Sequence, residues 1–200
     1  MNKKNSLMKC CKFAQFVLLV SAVCLLAGCW SKTSNNVLPD HSKKGARLVA
    51  ILPVDNKTGD EGIGRMLREK ILYGLYFKGY PKISFNVIDE KLSAPDQKNI
   101  TPKVLGGMLN VEAVMYCTLN KCKTSYSYLW ASTVISAKFE LRSVQTGETL
   151  WSAEQQIGER CYSFFRTDLE MKSYQLYEPA IQEIVDSALK TFPDGPDFLG

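Results

Sequence analysis

The sequence predicts an α/β (α+β) fold in which helices pack on a mixed sheet of about five strands, in the order β-α-β-α-β-β-β-α. Two patterns lead to this fold class. Residues 47–54 form a short apolar run rich in β-branched side chains, and a turn-rich segment and a helical pattern follow it, as in a β-loop-α unit. Residues 132–144 alternate between apolar and polar side chains and lead through a Thr-Gly turn into residues 148–157, which predicts an antiparallel meander.

The first half of the chain contains the β-loop-α unit and a further strand. The run at residues 47–54 would be apolar on both faces, so we expect this strand to lie centrally in the sheet. The helix after it is predicted to end at Gly79, where a glycine can stop a helix. Its apolar residues recur at helical spacing: Ile63, Met66, Leu67, Ile71 and Leu75. Residues 83–88 alternate enough to predict a second strand.

Caps and periodicity predict the remaining elements. Thr101 followed by Pro102 indicates the start of a short helix that ends by residue 109 or 110, because a hydroxyl cap and a proline both favour a first helical turn. Residues 111–119 are predicted to form the third strand. The apolar side of residues 173–191 recurs at helical spacing and predicts one final helix.

The N-terminal residues 1–28 place four lysines and no acidic residue ahead of an apolar run at residues 13–27. As a helix this run would rise about 22 Å, which is short of the roughly 30 Å hydrocarbon core that a permanent span must cross. Small residues follow it. This order predicts a secretory signal peptide rather than a transmembrane anchor.

Leu26, Ala27, Gly28 and Cys29 end the apolar run and resemble the bacterial lipobox. The resemblance implies cleavage before Cys29, acyl chains on its sulfur and a mature protein that stays bound to a membrane. Trp30 follows where Asp would favour the inner membrane, so we expect the periplasmic face of the outer membrane in a Gram-negative bacterium. The alternative is an ordinary signal peptide with Cys29 in a disulfide, although no A-x-A site lies nearby.

The mature chain is expected to contain a single domain. Residues 29–45 are interpreted as the lipidated N-terminus and a tether, residues 46–193 as a periplasmic α/β domain, and residues 194–200 as a C-terminal tail. Residues 31–45 are polar and rich in turn formers, and a flexible segment of about 15 residues has a reach of roughly 20 to 23 Å. We therefore expect the domain to stand clear of the lipid surface.

Charge excludes a nucleic-acid surface. The formal net charge is +5, but four of the lysines leave with the signal peptide, so the mature chain is near +1. Binding to nucleic acid would require a basic patch or stripe, and the mature chain has no Lys/Arg run.

Cys117, Cys122 and Cys161 are the cysteines that remain once the signal peptide is removed and Cys29 is lipidated. Cys117 and Cys122 have an odd offset on one extended strand, which predicts opposite faces and no pairing between them. A disulfide between Cys122 and Cys161 and a set of free thiols are both left open.

No motif predicts catalysis, a cofactor or a metal site. Gly62 and Gly64 lack the third glycine of a dinucleotide-binding turn. The acidic loop before Asp60 has Lys57 where a calcium-binding loop needs an oxygen ligand. The only histidine, His41, lies in the interpreted tether, which argues against Ser-His or Cys-His pairs. We expect a non-enzymatic protein.

Tyr126, Tyr128 and Trp130 fall where the third and fourth strands should turn. Side chains two residues apart share one face of an extended segment, and exposed Tyr and Trp clusters often mark contact sites. We therefore interpret these three residues as part of a partner-binding surface. The alternative is that they pack on the final helix as core.

Three segments carry a resemblance to a known family: AILPVDNKTGD at residues 50–60, LNVEAVMY at 109–116 and TGETLW at 146–151. Over residues 48–158 the chain resembles a family of bacterial outer-membrane lipoproteins without an assigned function (domain of unknown function 799), which is distantly similar to TolB N-terminal and curli-secretion lipoprotein domains. The shared motifs are a buried strand, a strand entry and a hairpin, so the resemblance supplies no catalytic residues.

These observations predict a membrane-anchored periplasmic lipoprotein that binds other envelope proteins, as a non-enzymatic accessory of an export or assembly system. The alternative is a subunit of a ring-like secretion channel of the curli type, which would make the protein a homo-oligomer.

Overall fold

The computed structural model describes residues 32–37, 46–93 and 101–196, the first of these ranges by its backbone alone. The strands are β1 (Lys32–Val37), β2 (Val49–Ile51), β3 (Asp55–Asn56), β4 (Ala113–Tyr126), β5 (Trp130–Ser143) and β6 (Thr149–Tyr162). The helices are α1 (Glu61–Phe77), α2 (Phe85–Leu92), α3 (Pro102–Leu109), α4 (Arg166–Gln175) and α5 (Tyr177–Leu189).

The strands form one mixed sheet, as the sequence predicted. Its order is β1-β6-β5-β4-β2, and β3 also pairs with β4. Both β2 and β3 run parallel to β4, whereas β4, β5, β6 and β1 pair antiparallel. We call the end of the sheet where β4 turns into β5 and where β6 ends the tip. The opposite end, where β5 turns into β6, is the base.

Helices cover the two faces of the sheet unequally. On the inner face, α4 and α5 pack on β5 and β6, α1 packs on β2, β3 and α5, and the shared core buries Ile135, Phe139 and Trp151. On the outer face, α2 and α3 cover β2 and the start of β4 through Ile88 and Leu105. The alternation predicted for β5 is confirmed, since its buried residues face the inner core.

Asn120 forms a β-bulge in β4. The register with β5 shifts by one residue at this position, so Asn120 has no partner in the ladder. An extra residue reverses the alternation of side chains along the strand. Cys117 and Cys122 therefore both face the inner core although they are an odd number of residues apart, and the prediction of opposite faces is wrong.

Cys117, Cys122 and Cys161 are free thiols. Cys122 lies on β4 and Cys161 on β6, and β5 separates the two strands, so the disulfide that the sequence left open does not form. Burial raises the pKa of Cys117. Burial, with a smaller contribution from the Asp60 carboxylate, raises the pKa of Cys122 to about 11. Both thiols are therefore protonated at neutral pH.

The second strand predicted at residues 83–88 is wrong, because this segment enters helix α2. Phe85, Ile88 and Leu92 are three and four residues apart, which places them on one side of a helix. Together they pack in the apolar cluster on the outer face. Residues 83–88 alone contain too few apolar positions to distinguish a period of two from one of 3.6.

The predicted central position of the first strand is also wrong. The strand β2 is buried on both faces, as its composition indicated, but it is the last strand in the order and lies at the edge of the sheet. Its apolar residues are covered by α1 on one face and by α2 on the other, with Val49 and Ile51 in one cluster and Ala50 in the other. Helix packing on both faces thus gives an edge strand the apolar composition expected of a central one.

Part of the segment interpreted as a tether is a paired strand. Lys32 to Val37 form β1, which runs antiparallel to β6 with Lys32 opposite Gln156 and Val37 opposite Trp151. The outer edge of β6 presents unpaired backbone donors and acceptors, and any extended segment can satisfy them whatever its side chains. The polar composition of the segment therefore did not reveal the pairing.

The C-terminal helix differs from the prediction in length and continuity. It is two helices, α4 and α5, that meet at Leu176, and α4 begins at Arg166. The third strand extends to Tyr126 rather than residue 119, and the last strand of the meander extends to Tyr162.

The predicted bounds of α1 and α3 are close to those observed. The Asp60 side chain accepts hydrogen bonds from the backbone of Gly62 and Ile63 and caps α1, and Gly79 follows it with a φ of 87°. Helix α3 begins at Pro102 and is capped at its end by Asn110, which has a φ of 53°. Thr101 precedes α3 without a side-chain capping bond.

Two glycines of α3 differ in their surroundings. A Cβ on Gly106 would collide with the β-branched side chain of Val144, whereas a Cβ on Gly107 would meet nothing within 4 Å. We expect Gly106→Ala to destabilise the domain by about 1–3 kcal/mol through overpacking. Gly107→Ala, the matched control, should stabilise it by about 0.5–1 kcal/mol through helix propensity. Urea unfolding measures both, and equal effects would contradict the packing of α3 against Val144.

The raised pKa of Cys122 predicts slow alkylation in the folded protein. Raising the pKa of the Cys122 thiol from its ordinary value of 9.0 to about 11 lowers the thiolate fraction about 100-fold at pH values below this range. Iodoacetamide labelling followed by peptide mass analysis should show this slowing relative to the urea-unfolded chain. Labelling should become faster as the pH rises toward the raised pKa. A Cys122 peptide that is unlabelled in urea until reductant is added would instead show a disulfide.

Candidate interaction surfaces

Tyr126, Tyr128 and Trp130 lie at the tip, but the chain turns between them. Tyr126 ends β4, Trp130 begins β5, and the Ser127 backbone N–H donates to the Trp130 carbonyl at 2.7 Å. Tyr126 pairs with Ala131, so Tyr126 lies on the inner face and Trp130 on the outer face. The predicted shared face is wrong, because alternation holds along one extended strand and not across a turn.

The side chains of Tyr126 and Trp130 have partners within the domain. The Tyr126 hydroxyl lies 2.9 Å from the Ser173 hydroxyl, and the Arg166 guanidinium stacks 4.1 Å from its ring centroid. These contacts hold α4 against the end of β4, although Tyr126 remains 38% exposed and is not a core residue. The Arg160 guanidinium lies 5.4 Å from the Trp130 ring.

Exposed apolar side chains cluster at the tip on two neighbouring segments. The backbone N–H of Ser163, just after β6, donates to the Leu129 carbonyl in the β4–β5 turn at 3.1 Å and joins the segments. We define the tip patch as the five exposed apolar residues of these segments: Tyr128, Leu129, Tyr162, Phe164 and Phe165. Tyr128 is 90% exposed and Phe164 85%. Exposed apolar patches are typical of contacts with proteins or membranes, so we treat the tip patch as a candidate interaction surface.

Sequence reasoning included Tyr128 but missed the other members of the tip patch. The signal for them was the run Tyr162-Ser163-Phe164-Phe165, which places three aromatic residues directly after a strand. Only the pairing of β5 with β6 brings this run beside the β4–β5 turn.

A second exposed aromatic cluster lies on α1. Tyr73 is 52%, Tyr76 51% and Phe77 72% exposed. The Lys82 ammonium lies 4.1 Å from the Tyr73 ring centroid and 4.2 Å from that of Tyr76, which orients both rings by cation–π contact. We call Tyr73, Tyr76, Phe77 and Lys82 the helix patch.

The helix patch lies toward the base, at the opposite end of the sheet from the tip patch. Tyr80, which follows α1, makes an edge contact with Phe192 at 5.5 Å, and Phe192 makes one with Trp151 at 4.8 Å. Trp151 belongs to the first residues of β6, at the base. Sequence reasoning missed the helix patch, although its aromatics recur at helical spacing beside the apolar side of α1.

A cleft of about 450 Å³ lies beside Arg68 and is lined in part by Glu61, Arg65 and Asp89. The buried Arg68 guanidinium donates to the Ile51 carbonyl at 2.9 Å and pairs with Asp89 at 2.8 Å, and it stacks 4.1 Å from the Phe85 ring. These contacts connect α1, β2 and α2. Because the guanidinium already has these partners, we assign it a structural role.

The described ranges supply no further chemical site. Within them, no group of three or more His, Cys, Asp or Glu side chains could hold a metal ion. No helix in residues 46–93 and 101–196 has the length and apolarity needed to span a bilayer. Leu26, Ala27, Gly28, Cys29 and Trp30, which the sequence interpreted as the lipidation and sorting residues, lie outside the described residues.

Two solved structures have a similar fold. Lipoprotein GNA1162 from Neisseria meningitidis is 23% identical, with a TM-score of 0.52 over 66% of this chain and 95% of that chain. The PelC dodecamer from Paraburkholderia phytofirmans is 14% identical, with a TM-score of 0.50 over 80% of this chain and 97% of that chain. A comparison with curated proteins finds no match.

The family comparison covers most of the chain. The model of the GNA1162-like lipoproteins matches residues 40–190, which include α1 to α5 and β2 to β6. This range exceeds the residues on which the sequence motifs lie, and the resemblance to a lipoprotein family is confirmed. The chain belongs to the GNA1162-like lipoprotein family.

Proposed function

We propose that the protein is exported, cut before Cys29 and held by acyl chains on that cysteine at the periplasmic face of the outer membrane. There it acts as a non-enzymatic accessory that binds proteins of an envelope export or assembly system. Membership of a lipoprotein family and the lipobox-like residues 26–29 support the anchor. Trp30 after the cysteine supports the outer membrane.

The observation that carries the protein-binding role is the helix patch. Its three aromatic side chains are each more than half exposed, and they lie on a helix whose other side is fixed in the core. Tyr and Phe contribute large contact area, and rings held by Lys82 lose little conformational entropy on binding. Tyr126 and Trp130 have partners within the domain, so we move the main protein contact from the tip to this patch.

The state of the thiols also supports a binding role rather than catalysis. A nucleophilic cysteine needs a depressed pKa, and the pKa values of Cys117 and Cys122 are raised by burial. In the cleft, the charged side chains of Arg68 and Asp89 are engaged in contacts that hold the fold.

A second candidate is a subunit of a ring-like secretion channel of the curli type. Its support is the fold shared with PelC, whose crystal structure is a dodecamer. In such a ring the exposed aromatic patches would lie between copies of the chain.

A photo-crosslinking residue in place of Phe77 tests the accessory role in intact cells. We expect a discrete crosslink to another envelope protein. Tyr73→Ser combined with Tyr76→Ser should reduce it about tenfold or more, because truncating interface aromatics commonly costs about 2 kcal/mol each. The matched control places the same probe at Val104, which is 52% exposed on α3 and outside the patch.

Equal crosslinking from positions 77 and 104, or a yield that the two serines leave unchanged, would contradict binding through the helix patch. Intact-mass analysis of the purified protein checks the anchor independently. A product that begins at a residue other than Cys29, or that lacks acyl groups, would contradict the anchor.

The native mass of the lipidated protein in detergent distinguishes the accessory from the ring. We expect a monomer or a small oligomer, since the helix patch would then be free for a different protein. A closed assembly of many copies, lost on Tyr73→Ser with Tyr76→Ser, would favour the ring.

A further inference from the structure

The direction of β1 fixes where the chain leaves the sheet toward its N-terminus. Val37 lies opposite Trp151 near the base, and Lys32 lies opposite Gln156, six residues before the tip end of β6. Followed toward its N-terminal end, the strand β1 therefore runs in the direction of the tip. The N-terminal end of β1 and the tip patch lie toward the same end of the sheet.

The connection between the strand and the anchor is short. Cys29 is three residues before Lys32, and three extended residues span at most about 10 Å. This is half or less of the roughly 20 to 23 Å reach expected for a flexible tether of about 15 residues. From Gln156 to Tyr162, β6 itself advances about 20 Å toward the tip. A lipid on Cys29 thus leaves the domain little freedom to stand away from the bilayer.

The chemistry of the tip fits a membrane interface. The tip patch combines tyrosines with Leu129, Phe164 and Phe165, and aromatic residues are enriched where a bilayer meets water. Lys123 and Arg160 are exposed on the outer face, three and two residues before the tip ends of β4 and β6. An exposed apolar surface rimmed by basic groups is the composition of interfacial membrane binding.

We propose that the tip patch rests in the interface of the bilayer that holds the acyl chains of Cys29, so that the sheet stands tip-down and the helix patch faces the periplasm. This inference rests on the lipid anchor of the proposed function. The lipid anchor and the inserted aromatic patch would attach one rigid domain to the bilayer at two points. Two attachment points fix the orientation of the domain, whereas a single flexible anchor leaves it free to rotate.

Tryptophan quenching by brominated lipids tests this orientation in the full lipidated chain. Trp30→Phe and Trp130→Phe leave only Trp151, which is 1% exposed in the core, as a constant background. Tyr128→Trp then places a probe in the tip patch, and Tyr76→Trp places the matched control in the helix patch. The protein is inserted by its own lipid into vesicles of phosphatidylethanolamine and phosphatidylglycerol with brominated acyl chains.

We expect brominated lipid to quench most of the emission of the probe at position 128, and we expect this emission to lie at shorter wavelength. The probe at position 76 should be quenched no more than the tryptophan of the background protein. Circular dichroism confirms that both variants are folded. No added quenching at position 128, in a chain whose mass shows acyl groups on Cys29, would overturn the tip proposal and leave the anchor standing.

The remaining outcomes separate the two proposals further. A chain without acyl groups on Cys29 would overturn both the anchor and the tip orientation. An unquenched probe at position 128, together with a photo-crosslink from that position to a protein in intact cells, would assign the tip to a protein partner and overturn its contact with lipid.

Discussion

Burial of the inner face of the β4-β5-β6 meander under α4 and α5 is the interaction on which the rest of the structure depends. Phe139, Ile135 and Trp151 are almost fully removed from water in this layer. Each of the three strands has 14 residues and is about 45 Å long, whereas the 17 residues of α1 span about 25 Å. The strands therefore extend beyond the main helical layer, and the projecting end is the tip.

The bulge at Asn120 decides how this projecting end is built. By reversing the alternation in β4 it turns Thr124 and Tyr126 toward the helices. The Thr124 hydroxyl then lies 2.7 Å from that of Tyr177 on α5, and Tyr126 contacts α4. These contacts hold the short helix α4 over the end of the meander. The aromatic residues of the turn and of the segment after β6 remain outside this packing, which is why they are exposed together.

The two exposed patches give the molecule two distinct ends. The tip patch lies at the end toward which β1 runs in its N-terminal direction, and the helix patch lies near the base. In a protein attached to a bilayer, such an arrangement separates contact with lipid from contact with proteins. The Arg68 contacts with Ile51 and Asp89 keep α1, and hence the helix patch, in a fixed position relative to the sheet.

Local patterns in the sequence determined α1, the meander and the family, and they predict the lipobox-like residues 26–29, because each depends on residues close together in the chain. Tertiary structure alone decided the pairing of β1 with β6, since the partners are more than 100 residues apart and pair through their backbones. It also decided that Phe85 begins a helix and that Tyr126 and Trp130 face opposite ways. A periodic pattern shows which side of a helix or strand is buried. Which other element packs on that side depends on contacts between segments that are distant in the sequence.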